Sequence, residues 1–478
     1  MRRAKIVCTI GPATESAEQI QALVDAGMDV ARINRSHGDT EAHKKVYDNV
    51  RAASKASGRS VAVLVDLQGP KIRLGRFIEG RHDLAVGDVF TITTDDIEGT
   101  KDRVSTTFKG LVGDVSPGDP ILIDDGKVLV RVTAVEGNDV ITRVEVPGPV
   151  SNNKGLNLPG VAVSVPAMSD KDEADLRWAI QIGADIIALS FVRNAKDYDD
   201  VRRIMEEEGR VVPVVAKIEK PQAVDNLAEI VAAFDGIMVA RGDLGVELPL
   251  EQVPLVQKRA VELARRNAKP VIVATQVLES MTTNPRPTRA ETSDCANAVL
   301  DGADAVMLSG ETSVGDYPIE TVRTMARIIE ATEELGRERI APLGSTPHTR
   351  GGAITRAAAE IGETLGVKYL VTFTQSGDSA RRMSRLRSSI PLLAFTPVES
   401  VRNVLSLSWG TQTYQVPTVE STDHMVAQVD QTLRANGLAE VGDYVVVVSG
   451  APVGVVGSTN SIVVHKIGDE ENPGGRVA

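Results

Sequence analysis

Eight short apolar, β-branched runs recur along the chain with amphipathic helical stretches between them. They are KIVCTI (residues 5–10), DVARIN (29–34), VAVLVD (61–66), DIIALS (185–190), VPVVAKIE (212–219), GIMVAR (236–241), PVIVAT (270–275) and AVMLSG (305–310). Near-continuous apolar strands need cover on both faces, and strands separated by helices pair in parallel. Eight such units in succession predict a closed (β/α)8 TIM barrel. The chain is an α/β protein on this reading.

Chemistry gathers at one end of these runs. Their carboxyl ends offer Asn34 with Ser36, Asp66, Ser190, Lys217 with Glu219, Arg241 with Asp243, Thr275, and Ser309 with Glu311. The opposite ends carry glycines such as Gly27, Gly183, Gly236 and Gly302, which read as punctuation. Barrel enzymes build their sites at the carboxyl ends, so one face is selected. A lysine beside two carboxylates, with no histidine or cysteine nucleophile nearby, suits a hard divalent metal plus a fixed cation. That equipment handles phosphate or enolate charge. A structural salt-bridge cluster is the competing reading.

Between the third and fourth runs the pattern changes to period-two alternation rich in Gly, Asp, Val and Thr, as in KVLVRVTAVEGNDVITRVEV. This predicts a small antiparallel β domain inserted in a barrel loop, placed as a cap over the active face. After the eighth run a helical stretch reaches about Ala341, PLGSTPHTRGG reads as a linker, and an independent α/β region follows. The expected boundaries are 1–69 and 165–341 for the barrel, 70–164 for the cap and 349–471 for the C-terminal domain. A length of 478 residues with 42% hydrophobic content exceeds a single core.

The net charge of -12, from 53 basic and 65 acidic residues, disfavours nucleic acid or an anionic membrane as the main partner. Cys8 and Cys295 are too few and too far apart for a disulfide framework or a thiolate zinc site, and no segment reaches transmembrane length. The chain reads as cytoplasmic. Its six histidines are scattered, without the i, i+4 spacing of a helical metal site.

The motifs KIVCTIGPA, DVARINRSHG, DLQGPKIRLG, DDGKV, NKGLNLPG, AKIEKPQAVDN, MVARGDLGVEL, KPVIVATQVLESM, RPTRAETSD and DGADAVMLSGETSVGDYP occur in that order. Together they resemble the pyruvate kinase family over essentially the whole chain. The resemblance implies transfer of a phosphoryl group from phosphoenolpyruvate to ADP, giving pyruvate and ATP, with an enolate held on a divalent metal, Mg2+ or Mn2+. It implies that Lys217 stabilises the phosphoryl group and that Glu219 and Asp243 hold the metal. Arg32 would meet the substrate phosphate, and Gly242 and Asp243 would present backbone N–H groups to the substrate carboxylate. Thr275 would lie near the enolate carbon, as proton donor or beside a water relay.

Asn34, Ser36, His37, Arg73 and Lys154 match positions on the nucleotide side. Asn34, Ser36, Asp66 and Leu67 match the pocket of a monovalent ion. Many members have Glu where this chain has Lys71, and Thr and Lys where it has Leu67 and Gln68. Those members need K+; a fixed ammonium at Lys71 replaces that charge, so turnover is expected not to require potassium. Arg35 stands where an apolar residue, commonly Phe, is usual, and either points behind its strand or adds charge near the nucleotide. The loop TQSGDSA, with Thr374, Ser376, Gly377 and Ser379, resembles the family's effector-phosphate loop. Asp378 inside it opposes a sugar bisphosphate, whereas Arg381, Arg382, Arg385 and Arg387 suit a monophosphate such as AMP or a hexose phosphate. The resemblance also implies a homotetramer. A metal-dependent carbon–carbon lyase and a catalytically silent metabolite sensor are the alternative classes.

Overall fold

In a computed structural model the chain is described over residues 2–161, 163–452 and 454–469. Residue 162 of the expected cap, and residues 470 and 471 of the expected C-terminal domain, lie outside the described residues. All eight runs form strands: Lys5–Thr9, Val30–Asn34, Ala62–Asp66, Ile186–Leu189, Val214–Ile218, Gly236–Ala240, Val271–Ala274 and Ala305–Leu308. They are parallel neighbours in chain order, and the first also pairs with the eighth, closing the barrel.

Alternation along each strand sorts the side chains. Val30, Ala62, Leu64, Val215, Met238 and Ile272 fill the lumen, whereas Ala31, Val63, Val214, Ala216 and Val239 pack under the outer helices. Both sets are buried, which is why the runs are apolar without a polar face. Gly183 (φ 92°) and Gly302 (φ 95°) end the helices before the fourth and eighth strands in left-handed conformations that glycine adopts without strain.

The insertion folds around its own core, which includes Phe90, Ile92, Val130 and Val140. A six-stranded sheet runs in the order Leu156–Asn157, Pro120–Ile123, Val128–Glu136, Asp139–Val146, Val89–Thr93, Arg103–Ser105, beside a two-stranded ribbon of Gly148–Ser151 and Arg81–Leu84. One pairing departs from the antiparallel expectation: Val89–Thr93 and Arg103–Ser105 are parallel. The intervening residues 94–102 form a crossing loop rather than a tight hairpin. The C-terminal unit is a five-stranded sheet, parallel except for its edge strand Thr459–Lys466.

The helix Asp170–Ile182 receives the chain as it leaves the cap. A capping box formed by Ser169 and Asp172 starts it. The buried Asp172 carboxylate also accepts the Gly69 N–H at 2.9 Å, at the point where the chain departs for the cap. Asp172→Ala therefore removes a cap and strands a buried donor, and should cost about 2 kcal/mol. Urea unfolding checks this; an unchanged midpoint would show that the hinge does not depend on the carboxylate.

Candidate active site

Strand alternation that fills the lumen with Val30, Leu64 and Val215 turns Arg32, Asp66 and Lys217 inward two residues later, at the carboxyl mouth. There they meet. Lys217 Nζ donates to Ser190 Oγ at 2.8 Å and lies 2.9 Å from Glu219 Oε1 and 3.3 Å from Asp66 Oδ1. Asp66 Oδ2 accepts from Arg32 Nε at 2.8 Å and Nη2 at 2.7 Å. Burial lowers the pKa of Lys217, but the charges of Asp66, Glu219 and Asp243 outweigh it and raise the pKa above that of a free lysine. The ammonium stays charged throughout the working pH range.

Glu219 is fully buried and accepts the Phe191 N–H at 2.7 Å through Oε2. Burial raises its pKa, Lys217 opposes the rise and Asp243 adds to it. Its Oε1, like Asp66 Oδ1, faces Lys217 but receives no directed hydrogen bond. A buried carboxylate oxygen left in that state suits a cation. No three acidic, histidine or cysteine side chains form a metal cage among the described residues. Glu219 and Asp243 would thus give a divalent ion two protein ligands and leave its other positions to substrate and water.

The sixth strand runs directly into the helix Arg241–Glu247. Thr275 follows the seventh strand at φ 69°, a strained conformation for a β-branched residue. Its Oγ1 accepts the Gly242 N–H and donates to the Ala274 carbonyl, both at 2.7 Å. The Gly242 amide is thus spent on Thr275 rather than left open to an anion. Arg241 holds this turn, donating to the Thr275 carbonyl at 2.9 Å and pairing with Asp294 at 2.6 Å.

A cleft of about 720 Å³ separates cap from barrel, and His37, Lys71, Arg73, Lys154 and Asp243 line it. The two cap-root cations are braced: Lys154 pairs with Asp124 at 3.0 Å, and Arg73 donates to the Asn153 carbonyl at 3.0 Å. Burial, then the charges of Lys71, Arg73 and Arg32, hold His37 below its usual pKa. Asn34 and Ser36 do not line the cleft. Asn34 Oδ1 accepts the Ser36 N–H at 3.1 Å. The Leu67 carbonyl accepts from Ser190 Oγ at 2.7 Å.

The loop from Thr374 to Ala380 lies in the C-terminal unit, where Thr374, Ser376 and Ser379 line a separate cavity of about 60 Å³. Gly377 does not line it; its N–H donates to Thr374 Oγ1 at 2.8 Å. Asp378 pairs with Arg382 at 2.6 Å. Arg385 and Arg387 point away from the loop to the foot of the barrel, onto the Arg266 carbonyl at 2.8 Å and Asp304 at 3.2 Å. They are structural there, which removes two of the four arginines from the expected effector set.

Sequence reasoning named Ser190 at a strand end without giving it a role, and passed over Phe191. Ser190 stands at a strand end, a signal available in the sequence. Phe191 gives no such signal, because its backbone N–H does the work, at φ 55°. Gly69 makes room for both: a Cβ there would lie 2.6 Å from the Phe191 ring and 2.7 Å from Ser190 Cβ.

Arg35 points behind its strand. Its guanidinium stacks 4.4 Å over Trp178, pairs with Asp175 at 2.6 Å and donates to His43 Nδ1 at 2.6 Å. Lys171 Nζ donates to the Arg35 carbonyl at 2.8 Å. The helix that grips Gly69 therefore also grips the loop bearing Asn34, Ser36 and His37. Burial and the Arg35 charge hold His43 at a pKa of about 4 instead of 6.5. Its neutral form favours the fold, a contribution complete above 6.5 and lost as pH falls toward 4. NMR titration of the His43 ring should give that low midpoint, rising toward 6.5 in Arg35→Ala; a normal midpoint in the parent would contradict the cluster.

A closed barrel whose mouth combines a buried ammonium, two carboxylates suited to a divalent ion and a cationic lid is that of a phosphotransferase. Known proteins agree. The family description "Pyruvate kinase, barrel domain" matches residues 1–322, and "Pyruvate kinase, alpha/beta domain" matches residues 352–465. Pyruvate kinases of Mycobacterium intracellulare and Corynebacterium glutamicum are 60% and 58% identical over 98% of this chain, covering 99% and 98% of their own lengths. The crystal structure of a pyruvate kinase from Cryptosporidium parvum superposes with a TM-score of 0.92 at 34% identity, covering 98% of this chain and 96% of that one. The chain belongs to the pyruvate kinase family, and its reaction is phosphoryl transfer between phosphoenolpyruvate and ADP.

Proposed function

We propose that Lys217 is the residue that stabilises the phosphoryl group in flight, and the observation that carries this reading is its buried, permanently charged ammonium at the barrel mouth. Because Asp66, Glu219 and Ser190 already orient it, little reorganisation is needed when charge develops on the transferring group. Arg32, braced by Asp66 and by Thr9 Oγ1 at 2.9 Å, meets the substrate phosphate. A divalent cation held by Glu219 and Asp243, Mg2+ or Mn2+, would supply Lewis-acid neutralisation of oxygen charge. The backbone N–H of Asp243 seats the substrate carboxylate, because that of Gly242 is held by Thr275. Thr275 already donates its proton to a carbonyl, so it positions a water beside the enolate carbon instead of acting as the acid itself.

His37, Arg73 and Lys154 bind the nucleotide phosphates as the cap closes and expels water. Asn34 and Ser36 shape the loop under them. Potassium is not required. Asp66 Oδ2 is held by Arg32, Asn34 Oδ1 by Ser36 and the Leu67 carbonyl by Ser190, while Lys71 supplies positive charge to the cleft. A small phosphorylated effector, AMP or a hexose phosphate, occupies the Thr374–Ser379 loop of a homotetramer in the cytoplasm.

Lys217→Met should lower kcat about 10³-fold in a phosphoenolpyruvate and ADP assay without loss of folding. Retained turnover would end the mechanism. Replacing K+ with tetramethylammonium should leave kcat unchanged, whereas Lys71→Glu should make the rate depend on potassium. A parent enzyme that stops without potassium contradicts the Lys71 reading.

A further inference from the structure

Few directed contacts join the cap to the barrel. Arg193 holds the returning chain at its root, donating through Nη1 to the Val163 and Val165 carbonyls at 3.2 and 3.0 Å. Away from the roots, one hydrogen bond among the described residues links a cap side chain to a barrel side chain: Asn157 Nδ2 donates to Glu247 Oε1 at 2.9 Å. The same oxygen accepts from Lys220 Nζ at 2.5 Å. Glu247 is buried, and a carboxylate removed from water needs such donors.

Each of the three residues leads to a different part of the site. Glu247 ends the helix Arg241–Glu247, which carries Gly242 and Asp243. Lys220 follows Glu219 directly and lies 5.4 Å over the Phe191 ring, and the Phe191 backbone N–H holds Glu219 Oε2. Asn157 belongs to the short strand Leu156–Asn157 at the edge of the cap sheet, just after Lys154 in the chain. Lys154, Asn157, Phe191, Lys220 and Asp243 all line the same cleft. One carboxylate oxygen thus stands between a cap cation and both proposed metal ligands.

We propose that Glu247 is a positioning residue for the transfer reaction. Through Asn157 it fixes the cap over the barrel mouth, and through Lys220 and its own helix it keeps Glu219 and Asp243 in register with the cap cations. A bond from an amide to a carboxylate is charge-assisted and stronger than one between neutral groups, so a single contact suffices. A cap held only at its roots has to be ordered when a nucleotide binds; the bond meets part of that cost in advance. This consequence for the nucleotide rests on the reading of Arg73 and Lys154 as its phosphate ligands, whereas the effect on cap position does not.

Two variants separate the hydrogen bond from packing. Asn157→Ala removes the donor, and Asn157→Asp keeps the shape but sets a second carboxylate against Glu247. Cys8 and Cys295 are buried, so nitroxides on Glu136→Cys in the cap and Lys55→Cys in the barrel, both exposed positions, report cap position in the full-length protein by double electron–electron resonance. Both variants should widen the distance distribution, Asn157→Asp the more. In the phosphoenolpyruvate and ADP assay, Asn157→Ala should raise KM for ADP about tenfold while kcat changes less than about twofold and KM for phosphoenolpyruvate stays level. Asn157→Gln, which retains an amide donor, should stay near the parent, and Glu247→Ala should raise KM for both substrates. An unchanged distance distribution in Asn157→Asp overturns the proposal, as does Asn157→Ala raising both KM values and lowering kcat alike. Widened distances with an unchanged KM for ADP would support the bond's hold on the cap and overturn instead the nucleotide role of Arg73 and Lys154.

Discussion

A lysine ammonium sealed inside the mouth of a closed barrel governs the arrangement around it. Removing one such ion from water costs several kcal/mol, and only well-placed opposite charge offsets that. Lys217 obtains it from Asp66 and Glu219, and Asp66 is in turn balanced by Arg32. These groups come from the second, third and fifth strands, with Ser190 at the end of the fourth. The network stands only if the barrel closes in its observed strand order. Losing any partner leaves a buried charge uncompensated, so the charges proposed to serve the chemistry also select the fold at this end.

The same economy of contacts extends to the cap. One helix, Asp170–Ile182, receives the chain from the cap, holds its exit at Gly69 through Asp172, and anchors the Asn34–His37 loop through Lys171 and Asp175. Cap position and loop position are thereby set on one rigid element. Arg35 is part of this anchorage, and its stacking on Trp178 keeps it away from the cleft between cap and barrel.

The barrel was legible because all eight strands are buried on both faces and so carry an uninterrupted apolar signal. Lys217, Glu219 and Asp243 were legible because charge at the end of such a run has no packing purpose. Ser190 and Phe191 were weaker signals: a serine at a strand end is ordinary, and a backbone N–H leaves no mark on residue type. The parallel pair in the cap was missed because alternation records which face is buried, not the direction of the neighbour. Arg385 and Arg387 looked like effector ligands beside Arg381 and Arg382, yet successive turns of chain aim them at a different domain.

The amino-acid order by itself determined the barrel, the insertion, the C-terminal α/β unit and the acidic and basic groups at the strand ends, because periodicity and residue chemistry are local properties. Only the tertiary structure decided how those groups are spent. It gave Asp66 to Arg32 and Lys217, the Gly242 amide to Thr275, and Arg35 to Trp178 and Asp175. Partners so distant in the chain are chosen by closure and packing, which bring together residues that no sequence spacing relates.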